Sequence, residues 1–341
     1  MDLSPGVVYF LNQASKLLFS LGSHFSLTSL GAALLIAAVF FAGKRIAKNR
    51  RVRIKTIVKV LFPKRLTSHP SNRADIGYLF FNVFVFGVVF GWAVLTYQFV
   101  SNGIIAMLIG AFGPMTPSAL PSPVSNSVVT AMLFLAYELG YWFNHWLSHK
   151  VPVLWEFHKV HHSAEVLTPL TNFRVHPVYT WIFANILALS TAIANGLANY
   201  AFGETAYQYA FSDTNIILVV FIHTYVHLQH THVWISFTGV LGRIFVSPAH
   251  HQVHHSTSPA HFNRNFGSCL ALWDWMFGTL YVPAKQREKL SFGAEQDRHP
   301  AHTIRGELFA PFLRAGARVR AMLPRRSAAL PVRDRKQASQ A

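Results

Sequence analysis

The sequence predicts an all-α fold: an integral-membrane helical bundle of four to five spans, capped on one side by a histidine-rich segment. Three observations lead there. Of 341 residues, 52% are hydrophobic and 14% aromatic while only 13% are charged, too few charges to coat a soluble domain of this size. Uncharged runs long enough to cross a bilayer recur along the chain. Fifteen of the nineteen histidines fall between His145 and His261, at spacings that suit helix faces.

The first span is the second half of an uncharged run from Leu17 to Gly43, LGAALLIAAVFFAG, followed by a basic collar from Lys44 to Arg73 that contains no acid. The preceding stretch, MDLSPGVVYFLNQASKLLF, lacks a basic leader region and reads as an interfacial or span-extending segment rather than a cleaved signal. No charge occurs from Ile76 to Tyr137, and Tyr78 to Val100 is the strongest span. Ser101 to Val128 reads as an outer loop with no Lys or Arg and four prolines, its apolar piece GIIAMLIGAF lying in the interface. Val129 to Trp142 returns inward, with Glu138 inside it as a costly polar group. Val178 to Ala198 and Asn215 to Leu228 form a further pair around a second loop without Lys or Arg. With spans placed by hydrophobicity alone, every basic stretch and every histidine group falls on one side. By the positive-inside rule that side is cytoplasmic, in a bacterial inner membrane or the endoplasmic reticulum.

The expected organisation is residues 1–75 as an N-terminal span and basic segment, 76–285 as the membrane-embedded catalytic unit, and 286–341 as a basic, partly disordered tail whose stretch from Arg314 lies on anionic lipid or remains disordered. The net charge of +17 does not indicate nucleic acid, because the basic blocks border the spans and lack the basic and aromatic alternation of a binding groove. The single cysteine, Cys269, permits neither an internal disulfide nor a thiolate cluster, and reads as a small buried apolar residue.

The histidine spacing carries the chemistry. His145 and His149 form HWLSH, an i,i+4 pair, with Glu138 two turns earlier on the same face. His158, His161 and His162 form HKVHH. The order then recurs as His223 and His227 in HTYVH, and His251, His254 and His255 in HQVHH. Ten converging imidazoles could hold two metal ions with about five ligands each, leaving roughly one position open on each ion. Imidazole suits iron, zinc, copper or nickel, but a structural zinc closes with four ligands and has no use for ten.

These residues resemble the fatty acid hydroxylase and sterol desaturase superfamily of integral-membrane non-haem di-iron oxygenases. The matching stretches are His145-WLS-His149, FHKVHHS from Phe157, FRVHP from Phe173, FIHTYVH from Phe221, SPAHHQVHHS from Ser247, and NFGSCLALWDWMFGTL from Asn265. The resemblance covers Glu138 to Val282. It implies that His145, His149, His158, His161, His162, His223, His227, His251, His254 and His255 are metal ligands, with His176 beside them or an occasional ligand. His230, His232, His250 and His261 are expected to support ligands or lie at the surface. Trp275 departs from the family, whose members often carry a basic residue there.

The resemblance further implies two Fe ions as cofactor, O2 as co-substrate, and hydroxylation or desaturation of a membrane lipid such as a sterol, a fatty acyl chain or an alkyl ether lipid. No fused haem motif or nucleotide fingerprint occurs, so electrons would come from a separate ferredoxin or small cytochrome with its reductase. Glu138 either sets the tautomer of a ligand imidazole or caps a buried polar pair; Asp274 either orients a ligand or anchors a turn. The alternatives are a membrane zinc hydrolase, which normally wants a carboxylate base as in the HExxH motif absent here, and a metal-ion transporter, which would line midmembrane with its ionisable groups.

Overall fold

The absence of proline from Ser71 to Phe112 permits the longest helix among the described residues. The computed structural model describes residues 4–23, 26–116, 118–203, 206–294 and 302–323, and these are mostly helical. In chain order the helices are α1 (Pro5–Phe19), α2 (Leu27–Ile46), α3 (Ile54–Leu61), α4 (Lys64–Thr67), α5 (Ser71–Phe112), α6 (Ser122–Lys150), α7 (Pro152–His162) and α8 (Pro177–Phe202). There follow α9 (Ile216–Phe221), a π-helical turn (Ile222–Val226), α10 (His227–Gln229), α11 (Gly239–Ile244), α12 (Pro248–His254), α13 (Leu272–Met276) and α14 (Ile304–Met322). A two-stranded hairpin pairs Ala210 with Asn215 across left-handed Ser212 and Asp213, filling the second loop that lacks Lys and Arg.

Helices α5, α6 and α8 form the spine, and small residues let them approach closely. A Cβ added to Gly196 of α8 would meet Ile104 Cβ of α5 at 2.7 Å, and one added to Gly140 of α6 would meet Ser190 Oγ of α8 at 2.2 Å. Polar side chains bridge the same seam: Thr96 donates to Asn185 at 3.1 Å and Asn195 to Ser101 at 2.9 Å. Among the described residues, Leu27–Ile46, Leu95–Phe112 and Pro177–Phe202 are long and apolar enough to cross a membrane, while Ile216–Gln229 is an apolar helix shorter than one crossing.

Two expectations are corrected. The apolar piece after Ser101 does not lie separately in the interface; it continues α5 until Gly113, at φ 89° and followed by Pro114, ends the helix. The stretch from Arg314 is not a loose tail as far as it is described, because α14 runs to Met322 and docks on α7. Arg314 and Arg318 each donate to buried Glu156 at 2.9 Å, and Phe312 packs on Phe157 and His176. Residues 295–301 and 324–341 of the expected tail lie outside the described residues.

Glu156 therefore holds α14 by two charge-assisted bonds. Glu156→Gln keeps the volume and removes the charge, and we expect trypsin cleavage after Arg314 and Arg318 to accelerate by about tenfold, the effect of losing one charge-assisted bond's worth of docking energy. Unchanged cleavage would show that apolar packing alone seats the helix.

Candidate metal centre

The bend between α6 and α7 follows from Val151-Pro152: the proline cannot continue α6 but starts α7 at its first position. His145 and His149 on the last turns of α6 thereby face His158 and His162 on α7. Helix α12 is fixed by a reciprocal cap in which the Ser247 hydroxyl receives His250 N–H and the His250 ring accepts the Ser247 N–H at 3.1 Å. It contributes His251, His254 and, at its end, His255.

Two groups of imidazoles result, each with its ring nitrogens all within 4.8 Å of one another: His145, His149, His158, His162 and His254 in one; His161, His230, His251 and His255 in the other. All are buried except His149, which is half-buried. The groups are contiguous, with the His162 ring stacked 4.5 Å from that of His255.

The donor chemistry fits a cation in each group. A backbone carbonyl can only accept, so Nδ1 of His145 donates to Phe266 O at 2.9 Å, Nδ1 of His254 to Arg264 O at 2.8 Å and Nδ1 of His161 to Arg174 O at 3.3 Å. Their Nε2 atoms are then bare lone pairs in the neutral rings. His162 Nε2 lies 3.1–3.2 Å from Nε2 of His149, His158 and His254, and His230 Nε2 lies 2.8–3.2 Å from Nε2 of His161, His251 and His255. One N–H can serve only one such contact, so the converging lone pairs outnumber the protons available. A cation resolves that excess.

Burial holds the rings neutral, as ligation requires. Desolvation first, with the crowding of other imidazoles after it, pushes His158, His162, His230, His251 and His255 well below their ordinary value. Desolvation also lowers His161 to about 3 and His254 to about 4.

The loop 263–281 supplies two of the three carbonyls and is itself pinned. Asp274 accepts from Phe266 N at 2.9 Å, Gly267 N at 2.7 Å, Thr279 Oγ1 at 2.6 Å and Trp142 Nε1 at 3.2 Å. Asn265, in the left-handed region at φ 59°, donates to His250 O and accepts Tyr281 N. Glu138 receives Cys269 N and Leu270 N at 2.9 and 2.8 Å. Neither carboxylate touches an imidazole. Asp274 anchors a turn, and that turn presents the carbonyl that orients His145; Glu138 caps backbone donors rather than setting a tautomer directly. Cys269 is buried as expected.

The structure does not bring His223 and His227 to either group. His223 Nε2 lies 3.1 Å from Thr28 Oγ1 and His227 Nε2 2.9 Å from Ser29 Oγ, both on α2. The π-helical turn at 222–226 rotates the helix between α9 and α10, and His230, which sequence reasoning left outside the ligand set, is the residue delivered to the cluster. No helical spacing signalled it, because His230 lies just past the end of α10. His176 also lies apart: it caps α8 by accepting Val178 N and donates to Leu308 O at 3.0 Å. His232 donates to Val60 O and His250 to Gly242 O, while His261 packs on Tyr281. Trp275 is exposed.

Comparison with known proteins adds the following. Residues 130–279 match the model of the fatty acid hydroxylase family. The chain is 29% identical over 184 residues to an alkylglycerol monooxygenase of Xenopus tropicalis, covering 53% of this chain and 34% of that protein. It is 31% identical over 174 residues to the alkylglycerol monooxygenase of Homo sapiens, covering 50% and 33%. Over 164 residues it is 28% identical to an ornithine lipid hydroxylase of Rhizobium tropici, covering 48% and 44%. The match thus spans about a third of the alkylglycerol monooxygenases and less than half of the ornithine lipid hydroxylase. No solved structure matches significantly.

Two measurements check this geometry. His230→Ala should lower bound metal from about two ions per chain to about one, whereas His223→Ala with His227→Ala should leave it at two; metal analysis of the purified variants distinguishes them. In the metal-free protein the folded state stays unprotonated at rings that the unfolded chain protonates near 6.5. Stability is therefore full above pH 6.5 and falls as pH drops through about 4. Thermal unfolding of metal-free protein that does not weaken between pH 7 and pH 5 would contradict the neutral cluster.

Proposed function

On the match of residues 130–279 to the fatty acid hydroxylase model, we propose that the chain is a member of that superfamily, a multi-pass membrane enzyme that uses two iron ions and O2 to hydroxylate a lipid. The observation that carries this reading is the pair of adjoining imidazole groups, five and four residues strong. Nitrogen-rich sites of this kind suit divalent iron and leave positions open to an exogenous molecule. When bound, the iron would supply the reduction of O2 by two electrons that couples to oxidation of an unactivated C–H bond.

The chain's own residues prepare the site for that chemistry. Backbone carbonyls of Arg174, Arg264 and Phe266 fix three ligand tautomers, so the lone pairs need no rearrangement when metal enters. Trp155 covers His149 and His162, and Phe266 covers His145, His149 and His254, which keeps bulk water from the inner faces of these rings. Tyr179, at the start of α8, stacks 4.6 Å from His158 and with Phe183 forms an aromatic wall between the cluster and the apolar spine.

The relatives named as alkylglycerol monooxygenases and an ornithine lipid hydroxylase support hydroxylation over desaturation and a lipid with a polar headgroup. The His232 bond to Val60 O ties the segment following His230 to α3 within the basic collar. Metal cluster and collar therefore share one end of the bundle, which by the positive-inside rule supports a cytoplasmic site. Electrons would come from a separate ferredoxin or small cytochrome with its reductase.

Lipid profiling of membranes containing the intact chain or the double variant His161→Ala, His254→Ala, in air and at low oxygen, tests the proposal. A lipid that gains one oxygen atom only with the intact chain and air, in a protein holding about two irons, is the expected result. Zinc alone in the purified protein, with no oxygen-dependent product when a reductase and carrier are supplied, would overturn it.

A further inference from the structure

At the cytoplasmic end assigned to α2, the chain turns back on itself in a way that builds a small basic cavity. Asn49, in the left-handed region at φ 52°, lets the backbone reverse, and Arg50 N–H returns to Arg45 O at 2.9 Å. Arg45 locks the turn by donating twice to Arg51 O, at 3.0 and 2.8 Å. Lys44 lies over the Phe40 ring at 4.3 Å. Between this turn and α3 is a cavity of about 160 Å³ lined by Lys44, Arg45, Lys48 and Arg50 together with Phe41, Ile57 and Val60. No acidic residue occurs from Leu17 to Ala74, and among the described residues Lys44, Arg45, Lys48 and Arg50 enter no ion pair.

A second feature points to the same ligand class. Helix α3 buries Ile57 towards α2 but exposes Ile54 and Val58, spaced i and i+4, with Ile54 at 84% exposure, and Phe62 is exposed immediately past the helix end. Exposed Lys55 and Lys59 flank that stripe. An apolar stripe bordered by lysines is the signature of a helix lying in the headgroup region with its apolar edge among acyl chains. Ile57 and Val60 of the same helix line the cavity, and the membrane placement of the proposed function sets stripe and cavity at the level of the lipid phosphates.

We propose that this cavity is a binding site for the phosphate headgroup of an anionic membrane phospholipid, held by Lys44, Lys48 and Arg50 around the turn that Arg45 fixes, with the upper acyl chain against Phe41 and Ile57. The site lies apart from the metal cluster and goes beyond the proposed activity; it rests only on the membrane placement of that reading. Its occupant braces the corner between α2 and α3, on which the segment after His230 leans through the His232 bond to Val60 O and through packing of Ala37, Phe41 and Leu61 with Leu228 and Val233.

The test uses the full chain in nanodiscs of phosphatidylcholine alone or with phosphatidylglycerol, followed by native mass spectrometry of retained lipid and thermal unfolding. Incorporation of the intact chain into neutral discs checks the membrane placement separately. The intact chain should retain phosphatidylglycerol and unfold at higher temperature in the mixed discs. The triple variant Lys44→Gln, Lys48→Gln, Arg50→Gln should lose retention by on the order of a hundredfold and lose the stabilisation. A matched variant, Lys64→Gln, Arg65→Gln, Arg73→Gln, removes the same charge outside the cavity and the stripe and should retain lipid to within about threefold. Equal loss in both variants would overturn the site in favour of diffuse surface charge, as would undiminished retention in the first. If the first variant fails to incorporate, Lys48→Gln alone should still lower retention by about fivefold, and no reduction would overturn the proposal. Equal retention of inorganic phosphate by the intact chain in neutral discs would overturn the assignment to lipid.

Discussion

The constraint on which the structure depends is that nine imidazoles must stay neutral and aim lone pairs at one another in a buried space. Such an arrangement is unfavourable without a cation, because it strips rings of water and returns no hydrogen bond to several of their nitrogens. Nδ1 of His158, His230, His251 and His255 and Nε2 of His145 have no hydrogen-bond partner. The surrounding fold compensates by fixing three of the nine rings, His145, His161 and His254, through backbone carbonyls. Carbonyls fix tautomers, Asp274 and Asn265 fix the loop bearing two of those carbonyls, and Glu138 fixes the same loop from α6. A site built on rigid helices and a pinned loop can hold ligand geometry that short mobile connections could not.

Arg174 shows how far the support extends. Its carbonyl orients His161, while its fully buried guanidinium donates to Val160 O, Ser71, Asp75, Ser163 and Glu307. One residue thus joins α5, α7 and α14 to a ligand. Burying a guanidinium costs several kcal/mol unless each donor is met, and here the partners come from residues as distant in sequence as Ser71 and Glu307. The arginine followed by His176 and Pro177 in the sequence is therefore an architectural junction: Arg174 gathers three helices, and His176 caps the helix that Pro177 starts.

Much of this was legible in the sequence. The HxxxH and HxxHH pairs were readable because a helix fixes which residues share a face, and α6, α7 and α12 are regular where those motifs lie. The same rule misassigned His223 and His227, because the π-helical turn breaks the regular period that it assumes; nothing in the residue types of IHTYV announces the extra backbone residue. The extension of α5 was signalled by the absence of Pro or charge before Gly113 and was missed because apolar length alone was used to end the span. The docking of α14 was not legible, since the arginines that suggested a free basic tail meet Glu156 about 160 residues earlier, a pairing that no local pattern contains.

The account stands most directly on the convergence of nitrogen donors around two ions. X-ray absorption at the iron edge, made on the loaded full chain together with metal quantification, reads that property without relying on turnover. About two irons per chain with a first coordination sphere dominated by imidazole nitrogen, scattering from the rings included, is the result the two histidine groups predict. A single iron, or a sphere dominated by carboxylate oxygen, would contradict the assignment of the lone-pair cluster as a two-metal centre.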